Sequence, residues 1–482
     1  MQDLLTPLSE FLIGHKDALV PIAWGILIVG MIQNTIFALQ LPSAWAELRT
    51  HSQSEDTESS WQMLISDVAI PISILVPAFN EEKSIAANVH SMLSLQYPAF
   101  EVVIANDGST DGTLQALIDA FSLKPTIRAH QLSAKHTTVR AVYTSPSYPN
   151  LVVVDKEPGG CKADANNAAL NFARHPLFCV TDADSLLEAE SLLRAARPFM
   201  EEPKLMAAVG GTIRILNGCT VSDGKVSKIG LSKKFLPRVQ TMEYIRAFLM
   251  SRLAWSHWGM LSIVSGAFGI FRRDIAIEAG GYSRNTVGED FDLIINMHKL
   301  LRKQKRPYLM RYVPEPVCWT EAPSTWKDLA SQRTRWQRGA LEVFFNHCGM
   351  FLNPRYGKIG LGSFFHHFII DVAGPLVEVF GYGLIPFFWI TGLLSTDFMF
   401  AYMALFFIFG FLISVCSLFL EEVELRRVPD IQALLRLCLT AFVENFGYRQ
   451  LNNIWRFNGW WKYLTGTKGW GQLQRAGFNA LS

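Results

Sequence analysis

Charge is scarce in this sequence. Asp, Glu, Lys and Arg make up 18% of its 482 residues, against about 25% in ordinary soluble domains. Net charge is nearly absent as well. The 44 basic and 42 acidic residues leave +2, which gives no reason to propose nucleic acid as a partner. Cysteine is present but unpatterned. Cys161, Cys179, Cys219, Cys318, Cys348, Cys416 and Cys438 form no CxxC and no zinc-type spacing, so free thiols in a reducing compartment are expected. Internal repeats are absent. What remains is a chain too long for one ordinary domain, half apolar and 12% aromatic, a composition that leans toward a membrane.

The apolar residues are gathered into runs. Ala18 to Leu41 holds no charge and exceeds the roughly 20 apolar residues that a helix needs to cross a bilayer. A cleaved signal peptide would carry a shorter apolar core after a basic start, so residues 1–45 read as a retained transmembrane anchor. Residues 46–70 are polar, rich in Ser and Glu, and read as a linker. Further on, Phe364 to Leu394 and Phe398 to Leu420 are each long enough to span. The first contains Asp371 and Glu378, so its beginning is expected along the interface. Ile431 to Phe446 holds Arg436 and Glu444 and reads as a span or as an interfacial helix. Residues 344–448 are thus assigned to interfacial and transmembrane helices. Arg426, Arg427 and a basic, Trp-rich tail over 449–482 fit the cytoplasmic side of a membrane.

Between the runs, residues 71–343 carry a different pattern. ISILVPAF, FEVVIAND, NLVVVDK and LFCVTDAD alternate with helix-like stretches such as GTLQALIDAFS and ADANNAALNFARH. That alternation implies βαβ units and an α/β fold with a mostly parallel sheet. Three of the runs end at Asn80, Asp107 and Asp182. In open α/β sheets the ligand crevice lies beyond the carboxyl ends of the strands, so the polar ends mark the expected site.

Asp182-Ala183-Asp184 places two carboxylates at a strand end, within reach of one divalent cation; hard oxygen ligands suit Mg²⁺ or Mn²⁺. Such a cation would neutralise a diphosphate leaving group. Lys162, in Pro158-Gly159-Gly160-Cys161-Lys162, follows a glycine-rich turn before a helix and can hold phosphate as a point charge. Gly288-Glu289-Asp290 opens another helix, where the carboxylates either cap it or supply a general base that deprotonates a hydroxyl. Gln332, Arg335 and Trp336 fall on one helix face. An amide, a guanidinium and an indole there suit a sugar diphosphate; the alternative is an interfacial helix whose Arg and Trp meet lipid headgroups.

Taken together, VPAFNEE, NDGSTDGT, GGCKADAN, DAD, GED and QRTRW, in that order, resemble the membrane-bound branch of the family 2 glycosyltransferases. That branch contains the cellulose, chitin, hyaluronan and poly-β-1,6-N-acetylglucosamine synthases. The resemblance covers roughly residues 70–340. It implies a GT-A fold, a nucleotide-sugar donor (usually a UDP-sugar, here UDP-N-acetylglucosamine or UDP-glucose) and an inverting displacement that makes β-linkages. By position it puts Phe79, Glu82 and Asp107 on the nucleoside and Lys162 on the diphosphate. Asp182 would touch the nucleotide and share the metal with Asp184. Asp290, with Glu289 beside it, would be catalytic, and Gly266, Gln332, Arg335 and Trp336 would form the acceptor and pyrophosphate site. The expected setting is a multi-pass protein of the inner or plasma membrane with its catalytic domain in the cytoplasm. A growing polysaccharide and a lipid or lipid-linked molecule both stay open as acceptor.

Overall fold

The computed structural model describes residues 14, 16–54, 69–222, 224–425 and 428–466. Twelve strands run through the centre of the sequence: β1 Ile72–Ala78, β2 Phe100–Asp107, β3 Lys124–Thr126, β4 Val139–Thr144, β5 Leu151–Lys156, β6 Leu177–Thr181, β7 Leu186–Leu187, β8 Met206–Ile215, β9 Thr220–Ser222, β10 Lys225–Lys228, β11 Phe268–Arg272 and β12 Leu309–Thr320. Ten of them form one sheet in the order β3-β4-β5-β2-β1-β6-β11-β8-β12-β7. Its heart, β5-β2-β1-β6, is parallel. The strands there are rich in Val, Ile and Leu and buried along nearly their whole length, as strands covered on both faces must be. Antiparallel β4 and β11 flank this heart. The helix Lys162–Phe172 covers β1 and β2. Its alanines at 163, 165, 168 and 169 let it pack so closely that every residue after Lys162 is buried.

Three helices are long and apolar enough to cross a membrane: Leu19–His51, Ile359–Ile390 and Thr396–Val423. The first belongs to a helix running from Lys16 to Ser54. Its 39 residues reach about 58 Å at 1.5 Å per residue, nearly twice the ~30 Å of a bilayer's hydrocarbon. This corrects the expected linker: residues 46–54 are helical, and residues 55–68 lie outside those described. The polar stretch stays helical because tertiary contacts hold it. Ala44 and Leu48 are buried in the core of the sheet domain. Trp258 Nε1 donates to Ser43 Oγ at 3.0 Å, Glu47 pairs with His257 and Arg311, and His51 pairs with Glu315 at 2.5 Å.

The distal end also departs from expectation. Ile431–Val443 forms a helix of 13 residues, about 20 Å long and short of the hydrocarbon thickness. The expected tail begins as a packed helix, Tyr448–Leu464, lying against the helix Trp326–Asn346. Tyr448 enters a small core with Leu236, Val239 and Leu329, and Trp460 Nε1 donates to the Val372 carbonyl at 3.0 Å. A basic, Trp-rich composition therefore serves internal packing here. Arg426, Arg427 and residues 467–482 lie outside the described residues.

Candidate active site

The carboxyl ends of β5, β2, β1 and β6 open on one side of the sheet, and the loops that extend from them interlock. Asn80 takes a left-handed backbone (φ 57°), which Asn tolerates better than most residues. Its side-chain oxygen accepts from Thr110 N at 2.8 Å, while Asn80 N donates to Ser109 Oγ at 3.0 Å. Glu82 Oε2 accepts from Gly112 N at 3.2 Å. The PAFNEE and NDGSTDG segments are thus clasped together, leaving Phe79 half exposed above them, at 49%.

Asp107, at the end of β2, is buried. It receives Gly159 N at 2.8 Å and pairs with the ammonium of Lys156 at the end of β5. Lys156 is itself 0% exposed and bridges on to Asp164 Oδ2 at 2.7 Å. Asp164 in turn accepts from Thr137 and Arg284. Nothing in the sequence pattern singled out Lys156 as part of the site. A lysine closing a strand buried along its whole length was the available signal, since a charge buried there needs carboxylate partners.

Beside this cluster lies a cavity of about 840 Å³. Among its walls are Lys162, Asp182, Gly266, Glu289, Asp290, Gln332, Arg335 and Trp336, which brings eight sequence-predicted residues together. A continuous polar chain crosses it. Lys162 Nζ pairs with Asp182 and donates to the Gly266 carbonyl at 3.0 Å. Gly266 N donates to Asp290 Oδ2 at 2.9 Å, and Phe291 N donates to Asp290 Oδ1 at 2.8 Å. Asp290 is therefore oriented by backbone donors on both oxygens. Phe79, Glu82, Asp107 and Asp184 are not in the cavity wall. The first three sit on the neighbouring strand ends. Asp184 is buried behind Asp182 in a turn whose Ala183 carbonyl accepts from Asn88.

The helix Trp326–Asn346 is brought against Asp290 by a pair of glycines. Gly339 and Gly288 meet backbone to backbone, and a Cβ on Gly339 would lie 3.0 Å from Gly288 N. A larger residue at either position would press the two backbones apart by a few tenths of an ångström. Val287 N donates to Glu342 Oε2 at 2.9 Å and secures the same junction. On this helix the guanidinium of Arg333 lies 4.5 Å from the centre of the Trp336 ring and bonds Glu243 at 2.5 Å. The indole is thus backed by a fixed cation.

Electrostatics at the cavity are uneven. Burial, with the Asp290 charge adding to it, pushes the Glu289 carboxyl up to about 7, while Lys162 and Arg335 pull the other way. For Lys162, burial disfavours the ammonium, but Asp182, Glu289 and Asp290 outweigh it and raise its pKa. Among the described residues no group of three or more His, Cys, Asp or Glu side chains converges to hold a metal ion. Any cation here would need oxygens from its ligand to complete its shell.

The profile described as "Glycosyltransferase like family 2" matches residues 70–339, the stretch that builds the sheet and most of the cavity. The chain belongs to the family 2 glycosyltransferases. This glycosyltransferase is 26% identical over 348 residues to the probable glycosyltransferase YdaM of Bacillus subtilis, covering 70% of this chain and 73% of that one. It is also 26% identical over 272 residues to the poly-β-1,6-N-acetyl-D-glucosamine synthase of Staphylococcus epidermidis. That match covers 56% of this chain and about half, 55%, of the synthase. In fold it is similar to the mannosyltransferase PcManGT of Pyrobaculum calidifontis, solved in complex with GDP-Man and Mn²⁺. The TM-score is 0.52 at 16% identity, with 92% of this glycosyltransferase and 100% of that chain covered. The enzyme is a glycosyltransferase of GT-A fold, and three of its helices are long and apolar enough to cross a membrane.

Proposed function

We propose that this enzyme extends a β-linked polysaccharide, moving one sugar at a time from a UDP-sugar, UDP-N-acetylglucosamine or UDP-glucose, to an acceptor hydroxyl by a single inverting displacement. The observation that carries the reading is the polar chain Asp182–Lys162–Gly266–Asp290. It ties the donor-side strand ends to a fixed carboxylate on one cavity, opposite Gln332, Arg335 and Trp336. Similarity to a poly-N-acetylglucosamine synthase supports the choice of product.

In this mechanism Phe79, Glu82 and Asp107 hold the nucleoside. Lys162 exchanges its Asp182 contact for the diphosphate, and Arg335 takes phosphate oxygens as a planar fork. Trp336 carries the acceptor's terminal ring. Asp290 takes the proton from the attacking hydroxyl as the bond to the leaving diphosphate breaks. Asp182 and Asp184 are hard oxygen donors that fit Mg²⁺ or Mn²⁺ when diphosphate oxygens share the shell. A cation there would supply charge neutralisation of the leaving group. The membrane reading has the Lys16–Ser54 helix crossing from outside, the catalytic domain in the cytoplasm, and the chain returning there after Ile359–Ile390 and Thr396–Val423. The packing of the Tyr448–Leu464 helix on the catalytic domain supports it.

Transfer of a single sugar to a lipid or lipid-linked acceptor is the second reading. It is favoured by the cavity's contact with the Ile359–Ile390 span, through His367, Ile370 and Asp371. One assay separates the two: UDP release over a panel of UDP-sugars, with the products sized. A polymer ladder supports the synthase reading, a single mass increment on lipid selects the second, and no UDP release with any donor would sink both.

A further inference from the structure

We propose that the Tyr448–Leu464 helix supplies a sugar-binding residue to the cavity: Asn452, whose side-chain oxygen accepts a hydrogen bond from a hydroxyl of the acceptor glycan. The inference rests on the glycosyltransferase reading and names a subsite within it.

Two buried amide oxygens in the cavity wall, Gln332 Oε1 and Asn452 Oδ1, have no hydrogen-bond partner among the described residues. A buried acceptor without a donor carries its full desolvation penalty, so such atoms mark where a ligand brings donors. Both side chains are neutral and both offer an acceptor. The complementary chemistry is a hydroxyl-rich, uncharged ring, and a phosphate, which brings only acceptors to these atoms, does not suit them.

The two oxygens act on the same ligand because their helices run side by side in the same direction. Thr334 Oγ1 donates to the Trp455 carbonyl at 3.2 Å. Three residues farther along, Gln337 lies against Gly459, where a Cβ would come within 2.7 Å of the Gln337 side chain. That register puts Gln332 and Asn452 at one level, on the stretch of wall that also carries Trp336. An indole face flanked by amide oxygens recognises a sugar through both its apolar face and its hydroxyl edge.

A three-way joint holds Asn452 in place one turn away. Arg456 Nε donates to Gln337 Oε1 at 2.8 Å, and its Nη2 reaches the Ile370 carbonyl at 2.7 Å and Asp371 Oδ1 at 3.1 Å. Gln337 Nε2 closes the ring on the Asp371 carbonyl at 2.5 Å. Asp371 is held from its other side by His367 at 2.8 Å, and His367 by Ser262 at 2.8 Å. Catalytic domain, membrane span and distal helix meet in this joint, and a binding group fixed by such support is pre-organised.

The test uses the full chain in detergent micelles, titrated separately with a short N-acetylglucosamine oligosaccharide and with UDP while tryptophan emission is followed. Asn452→Leu is expected to raise the Kd for the oligosaccharide about five- to tenfold and to leave the Kd for UDP unchanged. Asn452→Asp keeps the acceptor oxygens and should bind the oligosaccharide within about twofold of the parent. UDP affinity reports whether each variant is folded. Unchanged oligosaccharide affinity in a folded Asn452→Leu overturns the proposal, and so does an Asn452→Asp that loses as much as the leucine. A parent protein that binds the oligosaccharide as described yet releases no UDP from any donor strikes the transferase reading and upholds the subsite.

Discussion

The two sides of the site that we propose for donor and acceptor are built in opposite ways. The donor side consists of loops at the ends of neighbouring parallel strands. Its hydrogen bonds join segments about 30 residues apart, such as Asn80 with Thr110 and Glu82 with Gly112. The proposed acceptor side is assembled from the helix Trp326–Asn346, the apolar helical segment Ile359–Ile390 and the helix Tyr448–Leu464, tied by Arg456 across separations of 85 to 119 residues. A local site can be carried by motifs. An assembled one depends on how distant helices dock, so it can change its acceptor without disturbing nucleotide chemistry.

The largest expected effect lies where the halves meet. Asp290→Asn keeps the hydrogen bond from Phe291 or Gly266 on its amide oxygen but removes the base. Sugar transfer should fall by about 10²- to 10⁴-fold with UDP affinity unchanged, as read by single-turnover kinetics beside a binding titration. Near-normal turnover would assign the base elsewhere. Next, Lys156→Met strips the buried cation that joins Asp107 to Asp164. Leaving two buried carboxylates facing each other should cost roughly 3–5 kcal/mol and weaken UDP binding before oligosaccharide binding. If both affinities fell together, the division into two sides would not hold.

Glu289 gives a pH test. Its pKa is raised from 4.5 to about 7 by burial, so the folded state binds a proton that the unfolded chain has released between those values. Stability should therefore fall as pH rises through that window and level off above it, by on the order of 3 kcal/mol in all. Thermal unfolding from pH 5 to 8 should show the decline in the parent and a flatter profile in Glu289→Gln. A decline of equal slope in the variant would place the titrating group elsewhere. A smaller effect is expected from Gly459→Ala, whose methyl would press on Gln337. Oligosaccharide affinity should drop a few-fold while UDP affinity holds.

The same contrast explains what was legible in the sequence. β1, β2, β5 and β6 could be read because each is a short, mostly apolar run with polar residues at or just beyond its end, the pattern expected of strands buried on both faces. The residues at those ends, and the Gln332-Arg335-Trp336 face, could be read because a strand end or a helical repeat fixes their neighbours. Asn452, Arg456 and Lys156 could not. Their roles come from partners brought close only by tertiary packing, and nothing local distinguishes Asn452 from Asn453, which instead bonds Tyr382 at 3.0 Å and Glu378. The Trp-rich segment was legible only in part, because composition does not say which face turns inward. Trp460 packs on the apolar helical segment Ile359–Ile390, while Trp461 is 62% exposed. Residues 46–54 misled, since their helix is kept by Glu47 and His51 reaching outward to partners.

On the membrane reading proposed above, that unbroken helix makes the connection to the bilayer a mast and not a leash. Height and heading of the catalytic body are set together, because each residue added to an α-helix lifts the next turn by 1.5 Å and rotates it by about 100°. One alanine inserted near Pro42 would swing Glu47 and His51 away from Arg311, His257 and Glu315, a disturbance that a slack tether of the same length would absorb unnoticed.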